Sequence, residues 1–294
     1  MDLALSLGHL RRGRYDPTFQ IGAAGLWRAT RTPEGPATLA VVAHDGRTRT
    51  QGNRFDATAW GPGAAWALEQ APALLGAEDD PTALATDHPL VSRLHRRFAT
   101  LRIPRTNAVF EALVPTVIEQ KVTGFEARRA YRQLVQRLGE PAPGPTGLLL
   151  APDATTIAGT PYYDLHLIGV ERKRADTLRR VATRATAIER LLEGSSLEAQ
   201  RRLARLNGIG PWSAAEVAFA AFGDPDAVSV GDYHIPHQVA FALAGEERAT
   251  DERMLELLKP FRGQRGRVVR LIELARLGPA RKGPRMGPND FRER

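Results

Sequence analysis

The spacing of hydrophobic residues divides the chain near residue 87. Before that point, short apolar segments alternate with turn signals rich in Gly and Pro, of which Asp45-Gly46 is the clearest. This pattern is typical of antiparallel strands joined by hairpins. A helical pattern at 64–75 then predicts a helix over one face of the sheet. The segments with strand character are 19–22, 26–30, 37–42 and 48–51.

After residue 87, apolar residues recur every three or four positions, which is the period of helices that bury one face. Asn107 is the expected N-cap of the first of these helices, and Pro115 should bend it. A proline-rich run at 140–146 predicts a stiff connector. The predicted helices cover 107–122, 126–138, 172–191, 197–206, 212–222, 234–244, 251–258 and 264–277.

Together these patterns predict an α+β protein in three parts. An N-terminal antiparallel β-sheet domain with a covering helix takes 1–86, an all-α domain takes 87–277, and a basic flexible tail takes 278–294. The first residues lack the basic and apolar stretches of a signal peptide, and no apolar run approaches the ~20 residues of a membrane span. We therefore expect a cytoplasmic protein with no membrane partner.

Charge and composition narrow the chemistry. The 41 Lys and Arg residues exceed the 33 Asp and Glu residues, which gives a formal net charge of +8. Such a surplus favours a polyanionic partner, above all nucleic acid, over a basic enzyme that binds no polyanion. The chain has no cysteine, which excludes disulfides, a thiol nucleophile, and zinc or iron–sulfur sites built on cysteine.

The most informative segment is Leu203-Ala-Arg-Leu-Asn-Gly-Ile-Gly-Pro-Trp212, between two helical patterns. Glycines at 208 and 210 permit a tight reversal with backbone N–H groups exposed. The amides around Gly208, Ile209 and Gly210, with the start of the following helix, suit a phosphate. The segment therefore predicts a helical hairpin that grips a polyanion.

Asp232 follows this hairpin and precedes a helix that is predicted to start near Tyr233. An aspartate in this place can be a helix N-cap, and it can also supply a carboxylate for chemistry. One side chain can do both.

The run from Gly208 to Tyr233 resembles the helix-hairpin-helix DNA glycosylase superfamily, and within it the bacterial inducible 3-methyladenine (AlkA-type) glycosylases. Segments 110–120, 168–178 and 259–262 are similar to further parts of that family. The resemblance implies that the all-α part is a glycosylase domain with its hairpin at 203–212. It also implies that Asp232 is the catalytic residue.

The resemblance further implies the type of reaction. Members that also cleave the DNA strand carry a lysine two residues after the second hairpin glycine, where this chain has Trp212. The expected enzyme is therefore monofunctional, needs no cofactor, and hydrolyses the N-glycosidic bond to leave an abasic site. Asp232 would stabilise positive charge on the sugar and orient water.

The same resemblance implies a base pocket and a residue that fills the DNA gap. Trp212 and Tyr233 would stack on an electron-poor base, while Gln120 and Lys121 would occupy the space left by the flipped nucleotide. Glu216 stands where close relatives carry a pocket aromatic, and its carboxylate would lie near the pocket and hydrogen-bond an amino group of the base. The alternatives are that Trp212 packs behind the hairpin, Lys121 only contacts phosphate, and Glu216 lies on the helix surface.

The hypothesis is thus a monofunctional DNA glycosylase that excises alkylated purines of the 3-methyladenine type. We expect a monomer that binds damaged double-stranded DNA. The family can also hold Na⁺ or K⁺ through the backbone of Leu206 and Ile209, and no other metal is expected. Two alternatives stay open: a catalytically inactive damaged-DNA-binding protein of the same fold, and a lyase that uses a displaced lysine such as Lys121.

Overall fold

The computed structural model describes residues 1–22, 25–44 and 54–280. It contains an N-terminal antiparallel sheet followed by helices, which confirms the predicted α+β class. The turn predicted at Asp45-Gly46, the strand predicted at 48–51 and the tail after residue 280 lie outside the described residues. Within the described ranges, no helix combines the length and apolarity that a membrane span needs.

The sheet has four strands in chain order, each antiparallel to the next. Its inner face buries Leu26, Leu39 and Val41 against two helices, α1 (Leu3–Leu7) and α2 (Ala64–Leu74), so the predicted covering helix is present. The last strand was not predicted, because its mostly exposed residues lack a clear apolar alternation. The strands are β1 (Phe19–Gly22), β2 (Gly25–Thr32), β3 (Gly35–His44) and β4 (Arg54–Trp60).

The helical part is built around two hydrophobic cores. The first includes Leu113, Val217 and their neighbours, and the second includes Val239 and Ile272. The hairpin helix α11 (Pro211–Val217) belongs to the first core and α12 (Ile235–Ala244) to the second, so the chain between them lies where the cores meet. The helices are α3 (Pro89–Arg97), α4 (Val109–Glu119), α5 (Gly124–Leu138), α6 (Ala154–Gly159), α7 (Tyr162–Leu167), α8 (Arg172–Ala182), α9 (Ala185–Glu189), α10 (Ser196–Leu203), α11 (Pro211–Val217), α12 (Ile235–Ala244), α13 (Asp251–Leu258) and α14 (Arg265–Leu274).

Two predicted segments differ from the structure. The single helix expected over 172–191 is divided into α8 and α9, because Arg184 leaves helical geometry with φ of −118° and ψ of 13°. The proline-rich connector carries a short strand, β5 (Glu140–Pro141), which pairs with β6 (Leu149–Leu150). Leu149 also donates its N–H to the carbonyl of Pro17 at 2.8 Å, so this segment is joined to the N-terminal part.

The cap of α4 comes from a distant residue. Asn107 was predicted to cap this helix, but its φ is 49° and its side-chain amide donates to Gln70 instead. The carboxylate of Glu189 accepts the N–H groups of Val109 and Phe110 at 2.9 and 2.8 Å. A carboxylate at a helix N-terminus satisfies free donors and favours the helix dipole. The start of α4 is therefore fixed by the end of α9.

Ion pairs join the N-terminal part to the helices. Arg28 on β2 meets Glu111 on α4 at 2.7 Å, and Arg267 on α14 forms a buried pair with Asp79. The domain boundary predicted at residue 86 stays a prediction, and these pairs cross it.

We expect Glu189→Ala to lower the free energy of unfolding by about 1–3 kcal/mol, because it leaves the two N–H donors of α4 without their partner. Urea unfolding measures the loss. The matched control is Glu193→Ala, since the Glu193 side chain is 67% exposed and pairs with Arg190 at 3.2 Å. Equal stabilities for the two variants would show that the distant cap does not hold α4.

Candidate active site

The hairpin joins α10 to α11 through a turn that requires glycine at one position. Gly208 has φ of 92°, and a Cβ there would lie 2.2 Å from the hydroxyl oxygen of Thr177 on α8. Ile209 is buried, and its N–H donates to the carbonyl of Leu206 at 2.9 Å. Gly210 has open space around the place of a Cβ. The two glycines therefore serve different purposes: the first lets the turn pack, and the second leaves its outer surface clear.

Side chains from other helices hold the carbonyl groups of this turn. Arg180 donates to the carbonyl of Asn207 at 2.8 Å. The amide of Gln120, at the end of α4, donates to the carbonyl of Gly208 and to the hydroxyl of Ser213, both at 2.9 Å. With these carbonyls bound inward, the turn is fixed against the protein.

Gln120 and Lys121 share a loop but have different surroundings. Gln120 was predicted to enter the gap in the DNA, yet here its amide braces the hairpin. Lys121 is exposed and has φ of 55°, a backbone conformation that costs most residues about 1–3 kcal/mol. The loop thus presents Lys121 to solvent beside the hairpin.

Asp232 lies in the segment where the two helical cores meet, and its carboxylate accepts three hydrogen bonds. One oxygen accepts the N–H groups of His234 and Ile235 at 2.7 and 2.9 Å, and the other accepts the indole N–H of Trp212 at 3.0 Å. Asp232 thus caps α12 and is also bound to the hairpin helix. A carboxylate has about four lone-pair sites, so one remains for a water molecule or a ligand.

The two aromatic residues predicted to line the base pocket differ in position. Trp212 is half-buried and is bound to Asp232. Tyr233 is 80% exposed, and its ring contacts those of His234 and His237 edge-on, with centroids 4.9 and 6.4 Å apart. In this structure Tyr233 therefore does not form the wall of an enclosed pocket.

Glu216 lies one helical turn after Trp212 and belongs to the same hydrogen-bonded network. Its carboxylate accepts the hydroxyl of Ser229, whose carbonyl in turn accepts the N–H of Asp232 at 3.2 Å. Burial raises the pKa of Glu216 to about 7, against the opposing hydrogen bond from Ser229. Glu216 therefore lies toward the interior of the site and not on the outer helix surface.

Further charged residues surround this network, and the sequence reasoning missed them. Arg12 pairs with Glu119 at 3.1 Å, and Arg270 pairs with Glu273 at 3.5 Å. Burial raises the pKa of Glu273, and nearby Asp232 raises it further while Arg270 opposes both. These residues come from distant parts of the chain. Of the residues in this network that were missed, Ser229 alone could have been noticed in the sequence, because it is the polar residue within the apolar run 227–230.

Metal-binding side chains do not cluster at this site. Across residues 1–22, 25–44 and 54–280, no group of three or more His, Asp or Glu side chains is arranged to hold a metal ion.

We expect Gly208→Ala to destabilise the fold by about 1–3 kcal/mol or more, because it combines a forbidden backbone angle with the close contact to Thr177. Gly210→Ala, the matched control, should cost less than about 1 kcal/mol because nothing lies near its Cβ and its φ is −99°. Chemical denaturation of both variants measures the difference. Equal losses would contradict the distinct roles given to the two glycines.

We expect Glu216→Gln to stabilise the protein at pH 8 by roughly 1–3 kcal/mol. The folded protein keeps the Glu216 proton up to about pH 7, while the unfolded chain loses it near 4.5. Wild-type stability should therefore fall as the pH rises through this window, and the uncharged variant should lack that fall. Unfolding at pH 5 and pH 8 tests this: a pH-independent difference between the two proteins would contradict the buried position of Glu216.

Comparison with known proteins identifies the fold. No protein-family model matches the chain. A DNA-3-methyladenine glycosylase of Bacillus subtilis is 24% identical over 184 residues, a match that covers 61% of this chain and 61% of that protein. The chain thus spans about three fifths of the length of this curated relative.

Solved structures cover nearly all of the chain. A 3-methyladenine DNA glycosylase from Archaeoglobus fulgidus aligns with a TM-score of 0.76 at 19% identity, over 94% of this chain and 95% of that one. An 8-oxoguanine glycosylase/lyase from Clostridium acetobutylicum, in complex with double-stranded DNA, gives 0.69 at 14% identity over 94% and 92%. The chain therefore has the fold of the helix-hairpin-helix DNA glycosylases, and its resemblance to the 3-methyladenine DNA glycosylases is confirmed.

Proposed function

We propose that this protein is a monofunctional DNA glycosylase, which acts as a monomer on damaged double-stranded DNA and excises alkylated purines to leave an abasic site. The observation that carries the proposal is the hydrogen bond from Trp212 to Asp232. It joins a hairpin suited to hold a DNA backbone to a carboxylate suited to hydrolyse the bond beside it.

DNA would be held at the outer surface of the hairpin. The backbone amides of Gly208 and Gly210 would face the polyanion, and the open space at Gly210 allows a phosphate to approach closely. The N–H of Ile209, which was also expected to bind phosphate, is instead donated to the carbonyl of Leu206 at 2.9 Å. The Leu206 carbonyl already accepts one hydrogen bond, and its second lone pair would be available, with the carbonyl of Ile209, to Na⁺ or K⁺. The net charge of +8 favours the association at long range.

The target base must leave the stack before the carboxylate can reach its sugar. Lys121 would fill the gap, since it is the exposed residue of a loop that Gln120 anchors to the hairpin. The indole of Trp212 would border the flipped base, whose positive charge after alkylation favours contact with an aromatic face. Tyr233 would have to move from its exposed position to contribute to the same wall.

Asp232 would carry the chemistry. Departure of the base builds positive charge on the sugar, and a fixed carboxylate beside it stabilises that charge. The three hydrogen bonds hold Asp232 in place, so little reorganisation is needed as the bond breaks. Its remaining lone pair can orient and deprotonate the attacking water.

Strand cleavage through a covalent amine intermediate is not expected. The lysine position of the bifunctional enzymes holds Trp212, whose indole nitrogen donates to Asp232 and is no nucleophile. Hydrolysis is the reaction that the side chains at this place support.

We expect Asp232→Asn to reduce the release of 3-methyladenine or 7-methylguanine from methylated duplex DNA by about 100-fold or more, since the amide lacks the charge that stabilises the sugar cation. Asparagine can still cap α12, so folding and DNA binding should persist. The matched control is Asp153→Asn, another helix-capping aspartate, which accepts from Thr156 at 2.7 Å. Single-turnover base release and a parallel binding assay measure both properties.

Three outcomes would overturn this proposal. Unchanged base release by the Asp232 variant would remove this residue from the mechanism. No release by wild type from any methylated duplex, with binding intact, would favour an inactive damage-binding protein. Trapping of a DNA adduct with borohydride would instead indicate a lyase that uses a displaced lysine such as Lys121.

A further inference from the structure

The proposed function assigns no role to Glu216. An alkylated purine such as 7-methylguanine already carries positive charge and leaves as a neutral base. A purine that is neutral before excision leaves as an anion unless it gains a proton. Protonation by a positioned acid lowers that barrier, so a protonated carboxyl group in a base pocket has a clear chemical use.

The position of Glu216 suits this use. It lies four residues after Trp212 on α11, and one turn of an α-helix advances about 5.4 Å. Trp212 binds Asp232, so Glu216 lies one helical turn beyond the residue that holds the carboxylate assigned to the sugar. Ser229 joins the two acidic residues, since its hydroxyl donates to Glu216 and its carbonyl accepts from Asp232.

The charges around Glu216 favour its neutral form. Burial raises the pKa of Glu216 most, and the hydrogen bond from Ser229 lowers it. The charges of Glu119, at the end of α4, and Glu273, on α14, raise the pKa further. Arg12, from the segment before the sheet, lowers it, but Arg12 is paired with Glu119 at 3.1 Å. Asp232 instead accepts three hydrogen bonds, two of them from backbone N–H groups. Two carboxyl groups with such different surroundings can take opposite roles, one as acid and one as anion.

We propose that Glu216 is a second catalytic residue, a general acid that protonates the leaving purine and so allows excision of damaged purines that are neutral. Ser229 occupies one carboxyl oxygen, which leaves the other to face the base and carry the proton. This inference rests on the proposed glycosylase function.

Excision of a neutral purine involves two proton transfers. The bond between the sugar carbon and the base nitrogen breaks, and its electron pair goes to the base. The base takes the proton of Glu216 at a ring nitrogen. A water oxygen bonds to the sugar carbon, and the water proton passes to Asp232. Exchange with solvent then returns Asp232 to its anion and Glu216 to its acid, and the products are the free base and an abasic site.

The test compares a duplex with 7-methylguanine against a duplex with a neutral purine, and hypoxanthine and 8-oxoguanine are each used as the neutral purine. Single-turnover release is measured for wild type and Glu216→Gln, which keeps an oxygen for Ser229 but cannot act as an acid. We expect the variant to lose about 100-fold more activity on the neutral purine than on 7-methylguanine. Wild-type release of the neutral purine should decline above pH 7, and this decline should be absent in the variant.

The matched control is Glu198→Gln, since Glu198 is an exposed glutamate on α10 whose side chain is 59% accessible. It should release both bases at wild-type rates. Equal losses on both duplexes for Glu216→Gln would show that Glu216 only shapes the pocket, which overturns the inference. Release of 7-methylguanine but of neither neutral purine would also overturn it and leave the proposed function standing. Release of no base at all would contradict the proposed function itself.

Discussion

The candidate site depends on one hydrogen bond, from the indole of Trp212 to the carboxylate of Asp232. Trp212 opens α11, whose packing belongs to the first helical core, while Asp232 caps α12, which belongs to the second. The bond therefore fixes the hairpin relative to the carboxylate across the junction of the two cores. Gln120 and Thr177 hold the other side of the hairpin, through its Gly208 carbonyl and through close packing. The hairpin that we propose to hold DNA and the carboxylate that we propose to perform the chemistry are thus placed by the same contact.

The second constraint is electrostatic. Four carboxyl groups, those of Asp232, Glu216, Glu119 and Glu273, lie close enough to affect one another, and the neighbouring cations are Arg12 and Arg270. Like charges in a partly buried space cannot all ionise at no cost, so the proton stays on the group that is stabilised neither by a paired cation nor by several donors. Among the residues that the structure describes, Asp232 accepts hydrogen bonds from three donors and Glu216 accepts one from the Ser229 hydroxyl. This difference is the physical basis for giving the two residues different roles.

Local sequence patterns predicted the helices and strands well, but they predicted the contacts between distant residues poorly. The period of the apolar residues located the first three strands, α2 and α5, because burial of one face leaves a regular trace in the sequence. The hairpin glycines and Asp232 were identified by motif, and the close packing of the turn against Thr177 explains why glycine is needed at 208.

The prediction that Asn107 caps α4 was wrong, because the cap comes from Glu189, far along the chain. Arg12, Glu119 and Glu273 come from distant parts of the chain and approach Glu216 only once the protein is folded, so no local spacing could indicate them. Tyr233 followed the motif but lies exposed, since the chain turns at Asp232 to begin α12.

The central claim is hydrolysis directed by Asp232, without a covalent intermediate, and product analysis tests it most directly. A duplex with a single 7-methylguanine would be incubated with the wild-type protein, with and without borohydride. The masses of the products would then be determined by mass spectrometry, with no alkali treatment of the DNA. The account predicts free 7-methylguanine, an unbroken strand that carries one abasic site, and no protein–DNA adduct. A cleaved strand or a trapped adduct would contradict it, and so would an unchanged duplex.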